Sequence, residues 1–119
     1  LGSLKNLTNV HLNFGSCKEV GDVGVTALGA GLGSLKNLAD VQLTFGNCKV
    51  GNVGVMALGE GLGSLEDLTK VKLTFGNCKE LGDVGVTSLG EGLRLSKNMV
   101  SVALDFAVCK DLGDVGVKA

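Results

Sequence analysis

The stretch VKLTFGNCKELGDVGVTSLGEGL, residues 71–93, changes its hydrophobic period part-way along. Val71, Leu73 and Phe75 alternate with Lys72 and Thr74, and a period of two is the signature of a strand with one buried face. Beyond Gly82 the apolar positions Val86, Leu89 and Leu93 follow steps of three and four, which line one stripe of a helix. The residues between the two patterns form a loop. One strand and one helix cannot bury their apolar sides alone, so this unit needs neighbours of its own kind.

The rest of the chain supplies them. Cysteines stand at 17, 48, 78 and 109, a step of 30 or 31 residues, and self-alignment divides the chain into a single segment, 1–119, of four units at 1–31, 32–61, 62–92 and 93–119. The second unit is one residue short, Cys48-Lys49-Val50-Gly51 against Cys17-Lys18-Glu19-Val20-Gly21, and a tolerated deletion marks a loop. Alternation assigns Val10, Leu12, Phe14, then Val41, Leu43, Phe45, then Val71, Leu73, Phe75, and finally Val102, Leu104, Phe106 to the inward face. The helical stripes are Val25, Leu28, Leu32, Leu35 and Val55, Leu58, Leu62, Leu65. Asp22, Asn52, Asp83 and Asp114 precede the helical stretches, and their side-chain oxygens suit the free N–H groups of a first turn; N-caps are expected there. The predicted architecture is an α/β solenoid, with a parallel sheet on the concave face and short Gly-rich helices on the convex face, each unit touching only the next.

Composition narrows the function. The chain has 119 residues, 45% hydrophobic and 3% aromatic, so its core is built from Val, Leu and Ala. Eleven basic and twelve acidic residues are spread evenly for a net charge of −1, which predicts neither nucleic-acid binding nor an acidic tail. Every apolar run is interrupted, so no membrane insertion is expected. The sequence shows no basic-then-apolar leader, which together with reduced cysteines predicts a cytoplasmic protein. It opens on Leu1 and stops at Val117-Lys118-Ala119, inside a pattern completed three times before, and so reads as part of a larger repeat protein.

Leu68-x-x-Val71-x-Leu73, a following Asn/Cys position and the helix start Gly82-Asp83-Val84-Gly85-Val86 resemble a leucine-rich repeat. The subtype that looks most similar is the ribonuclease-inhibitor-like one, in which each strand alternates with a full helix. Cys78 sits two residues later than in that subtype's short form, with Phe75 as an extra inward position, so a lengthened strand is expected. The resemblance implies a fold and a habit of binding proteins, not a reaction.

Residues that invite a chemical reading fit the architecture better. One cysteine per unit makes a linear column, whereas zinc needs four converging ligands, commonly with CxxC spacing; no metal and no cofactor are expected. The only histidine, His11, lies on the opposite strand face from the cysteines, and no catalytic residue is assigned. The strings GAGLGS (29–34) and GEGLGS (59–64) lack the Gly-Lys-Ser/Thr of a phosphate loop and fall within the helical stretches. Each helical glycine costs about 1 kcal/mol relative to alanine, which is explained if small residues let adjacent helices approach closely. Asn6-Leu7-Thr8 matches a glycosylation sequon and is assigned no role. The four phenylalanines read as an inward column.

The outward strand positions vary most between units: Asn9, His11, Asn13; Asp40, Gln42, Thr44; Lys70, Lys72, Thr74; Ser101, Ala103, Asp105. The architecture does not fix these residues, so they form the candidate protein-binding face, with Asp40 beside Lys70 as a cross-strand pair. The sequence thus predicts a non-enzymatic scaffold that binds a protein partner or supports a larger assembly. Two alternatives stand beside it. One is a regulatory or sensing module of a multidomain enzyme whose catalytic part lies elsewhere; the other is a self-assembling unit whose uncapped ends meet further repeats or another chain.

Overall fold

The computed structural model describes residues 6–15, 19–47 and 49–106. Strands and helices alternate as β1 (Asn9–Gly15), α1 (Asp22–Gly33), β2 (Asp40–Gly46), α2 (Asn52–Gly63), β3 (Lys70–Gly76), α3 (Asp83–Leu93) and β4 (Ser101–Asp105). The four strands form one parallel sheet in sequence order. Parallel pairing follows from the crossover helices, which return the chain to the same end of the sheet after each strand. The first three strands are seven residues long, as the extra phenylalanine position predicts.

Register is set by the inward rows. Val10 pairs with Val41, then Val71, then Val102; Leu12 with Leu43, Leu73 and Leu104; Phe14 with Phe45 and Phe75. A slip of one residue would turn every one of these side chains to the other face. Val41, Leu43, Phe45, Leu73 and Phe75 are fully buried, together with Val55, Leu58 and Leu62 of α2 and Val86 and Leu89 of α3. The phenylalanine rings stack in a column at centroid separations of 5.3, 5.2 and 5.5 Å, with interplanar angles of 13° or less. Rows thin out at the two outer strands: Leu12 is 39% and Val102 47% exposed.

Leu35 and Leu65, predicted on the helical stripes, lie just past the helix ends and are fully buried. The preceding Ser34 and Ser64 each donate a hydroxyl hydrogen bond of 2.7 Å to a last-turn carbonyl, of Gly31 and Gly61. In the fourth unit the order is reversed. Leu95 stands where the serine would be and is 70% exposed. Ser96 takes the buried leucine position and donates to the Leu62 carbonyl at 3.2 Å.

The expected N-caps are corrected by the structure. Gly21, Gly51 and Gly82 occupy the cap positions, with extended backbone and no capping bond from their own turn. Asp22 and Asn52 point instead into the next unit. Asp22 Oδ1 accepts from the N–H groups of Gly51 at 2.7 Å and Gly54 at 2.9 Å. Asn52 Oδ1 does the same for Gly82 at 2.9 Å and Gly85 at 3.0 Å. The starts of α2 and α3 are therefore satisfied by the unit before them, and one oxygen serves two of the free donors that every helix leaves at its N-terminus. Asp114 lies outside the described residues.

The helical glycines mark where neighbouring helices touch. A Cβ added to Gly29 would come within 2.9 Å of the Ala57 carbonyl oxygen, one on Gly59 within 3.1 Å of Leu89 Cα, and one on Gly92 within 2.6 Å of the Gly59 carbonyl oxygen. Backbone meets backbone there, as the composition of the helices predicts. Gly54 and Gly85 have a different reason, since a Cβ on Gly54 would collide with the capping Oδ1 of Asp22 at 2.6 Å.

Candidate functional site

Twelve outward side chains occupy the sheet face opposite the helices, in three rows set by the same register as the core. Asn9, Asp40, Lys70 and Ser101 form the first row; His11, Gln42, Lys72 and Ala103 the second; Asn13, Thr44, Thr74 and Asp105 the third. The sheet thus brings all twelve sequence-predicted residues together on one surface. With strands about 4.8 Å apart and about 3.3 Å per residue, the rows span about 14 by 13 Å. Asp40, Gln42, Thr44 and Thr74 are half-buried between flanking strands, and the other eight are exposed.

Charge on this face is organised differently from the sequence expectation. Asp40 does sit opposite Lys70 in register, yet its carboxylate turns to the other side. Asp40 Oδ1 lies 3.4 Å from His11 Nε2 and accepts from Gln42 Nε2 at 3.4 Å. Lys70 and Lys72, two residues apart on β3, carry no ion pair among the described residues. Asn13 Oδ1 accepts from the Gly15 N–H at 2.8 Å, which tightens the end of β1.

Below the sheet the cysteine column has a structural place where it is described. Cys78 is fully buried, with Sγ 3.9 Å from the Phe45 carbonyl oxygen and 3.7 Å from that of Gly76. Cys17, Cys48 and Cys109 lie outside the described residues. Among the described residues, no group of three His, Cys, Asp or Glu side chains is placed to hold a metal ion. No helix among them is long and apolar enough to cross a membrane.

From the sequence the amide reads as dispensable, because Ala107-Val108 replace Gly76-Asn77 in the fourth unit, yet Asn47 and Asn77 sit just after β2 and β3 with left-handed φ of 53° and 54°. Asparagine is among the few non-glycine residues that adopt this region readily. Asn77 Nδ2 donates to Asn47 Oδ1, so the two turns are joined side chain to side chain. The preceding Gly46 and Gly76 have no positive φ, so the turn depends on the amide residue and not on the glycine. The recurrence of Asn before Cys was the available signal.

Residues 6–29 match the family model for the leucine-rich repeat. The match spans β1 and the first two turns of α1, and supports a leucine-rich repeat family for this sequence pattern. No curated protein and no solved structure matched the chain. The parallel four-stranded sheet and its three helices agree with a leucine-rich-repeat type of fold, a family that is typically non-enzymatic and whose members bind proteins.

Proposed function

We propose that the chain is a non-enzymatic leucine-rich-repeat scaffold, a solenoid segment of four units, which binds a protein partner through the sheet face opposite its helices. The observation that carries this reading is the contrast between the two faces of each strand. Inward rows hold Val, Leu and Phe in every unit, while outward rows change residue type at every strand-to-strand step except Thr44 to Thr74. Core packing explains the first and leaves the second unconstrained. Full helices of 11 or 12 residues and the seven-residue strands support the ribonuclease-inhibitor-like subtype with a lengthened strand.

Size limits the partner. A standard interface uses about 20–30 residues a side, and this face offers twelve with no Trp, Tyr or Arg among them. It suits an extended peptide, or one part of a larger contact. Lys70 and Lys72 are exposed there and carry no ion pair among the described residues, so acidic segments are favoured over basic ones.

The test is comparative. Proteins captured by the immobilised chain are identified by mass spectrometry, purified, and their affinity measured for wild type, for Lys70→Glu/Lys72→Glu and for Glu60→Lys on the helical side. The proposal expects at least a tenfold loss for the lysine pair and no change for Glu60→Lys. Unchanged affinity in the double variant discards the face.

A further inference from the structure

We propose that the sheet face takes an extended segment carrying two acidic side chains at alternate positions, acidic-x-acidic, laid along β3 over Lys70 and Lys72. The inference rests on the reading of that face as a protein-binding surface and names the chemistry of its occupant.

Lys70 and Lys72 stand two residues apart on an inner strand, so alternation sends both to the outward face. Both are exposed, and neither is in an ion pair among the described residues. Their neighbours in register do not neutralise them. Lys72 lies between Gln42 and Ala103, and Lys70 between Asp40 and Ser101. Asp40 is the one charged residue of these four, and its Oδ1 is held 3.4 Å from His11 Nε2 and 3.4 Å from Gln42 Nε2. The face therefore carries two positive charges side by side with their natural counter-charge engaged elsewhere.

The spacing selects the occupant. At about 3.3 Å per residue, the two lysine Cα atoms are about 6.6 Å apart. An extended segment has the same rise, so its side chains at i and i+2 leave one side with the same separation, and two carboxylates meet two ammonium groups in a single placement. Acidic residues at i and i+1 cannot do this, because one of them points away from the sheet. A helix spaces i and i+4 by about 6 Å along its axis but is about 10–12 Å across. Strands lie about 4.8 Å apart, so a helix along β3 would also cover the rows of β2 and β4 and carry its acidic side toward Asp40 and Asp105. An extended segment needs only the β3 row. The third outward position of β3 is Thr74, with Asp105 opposite it in register, so the match ends after two acidic residues.

The test uses fluorescein-labelled nonapeptides of Ser and Thr that carry two glutamates at i,i+1, at i,i+2 or at i,i+4, all of one net charge, and one that carries a single phosphoserine. Fluorescence polarisation at low salt measures their affinity for the chain. The i,i+2 peptide is expected to bind about threefold or more tighter than the other two glutamate peptides, the effect of one further exposed ion pair. Lys70→Gln alone and Lys72→Gln alone are each expected to abolish that preference, because one lysine reads no spacing. Lys70→Glu/Lys72→Glu is expected to take a Lys-x-Lys peptide instead. Circular dichroism checks that each variant folds, and the wild-type series decides the question even if one does not. Equal affinity for the three glutamate peptides overturns the proposal, as does a tightest i,i+4 peptide, a phosphoserine peptide that binds more tightly than the i,i+2 one, or no binding of the i,i+2 peptide at millimolar concentration. A folded double variant that refuses Lys-x-Lys also overturns it. The reading of the face itself fails separately, when a captured partner keeps its affinity for Lys70→Glu/Lys72→Glu; equal glutamate affinities that are all lost in that variant remove the spacing and leave the face.

Discussion

Alanine at Gly92 is expected to destabilise the chain, and the same substitution at Gly24 to stabilise it. Both residues lie in helices with ordinary φ, so alanine gains up to about 1 kcal/mol of helix propensity at either position. The surroundings decide the sign. A Cβ on Gly92 comes 2.6 Å from the carbonyl oxygen of Gly59 and 2.7 Å from its carbon, both backbone atoms of the adjacent helix. One helix must retreat by about half an ångström or more, and overpacking of this kind costs about 1–3 kcal/mol. The net effect at Gly92 is a loss of up to about 2 kcal/mol. A Cβ on Gly24 meets nothing within 4 Å, so that site keeps its gain of about 0.5–1 kcal/mol. Gly59, where the nearest atom is Leu89 Cα at 3.1 Å, should fall between them. Urea unfolding followed by circular dichroism, on chain dilute enough to be monomeric, measures the series. With a slope of about 1–3 kcal/mol per molar urea, the Gly24 and Gly92 midpoints should differ by about 1–2 M. A Gly92→Ala midpoint that rises as far as that of Gly24→Ala would refute the reasoning, because the helix backbones could not then be in contact.

Other substitutions probe the remaining joints. Asn52→Ala removes the oxygen shared by Gly82 and Gly85 and should cost about 1–2 kcal/mol, whereas Asn52→Asp should be tolerated because Asp22 performs the same role one unit earlier; urea midpoints distinguish the two. Exchanging Leu95 and Ser96, as Leu95→Ser with Ser96→Leu, restores the order of the other units and should stabilise by about 1 kcal/mol. Leucine burial, worth about 1.5–3 kcal/mol, outweighs the lost hydroxyl bond of about 0.5–1.5 kcal/mol, and a pocket of about 280 Å³ beside Ser96 leaves room for the side chain. Phe75→Ala should cost about 3–5 kcal/mol and Phe14→Ala less, because Phe75 is fully buried between two rings while Phe14 is half-buried against one. Thermal unfolding of both variants checks the order.

The strand rows were legible because period two and identical residue types reinforce one another: Val41, Leu43 and Phe45 could face only one way. The twelve outward residues followed by the same alternation. Their contacts did not follow, since the choice of Asp40 between Lys70 and His11 depends on side-chain direction, which the spacing of residues along the chain does not encode. The caps were misread for a related reason. Asp22 and Gly24 are two residues apart, but Asp22 bonds Gly54, 32 residues on. The Asp-x-Gly pattern holds one half of two different bonds, and only the repeating glycine at the third helical position hinted that something from outside fills its Cβ site. At the outer strands, alternation assigned Leu12 and Val102 inward but carries no measure of enclosure, and both are partly exposed.

The central claim is that one parallel register runs through all four strands and sorts each into a constant inward row and a variable outward row. Nuclear Overhauser contacts between backbone protons of neighbouring strands test it most directly. The account predicts contacts linking Leu12 to Leu43, Leu43 to Leu73 and Leu73 to Leu104, with slowly exchanging amides in β2 and β3. Antiparallel contacts, or a register displaced by one residue that set Leu43 against Lys72 or Thr74, would contradict it.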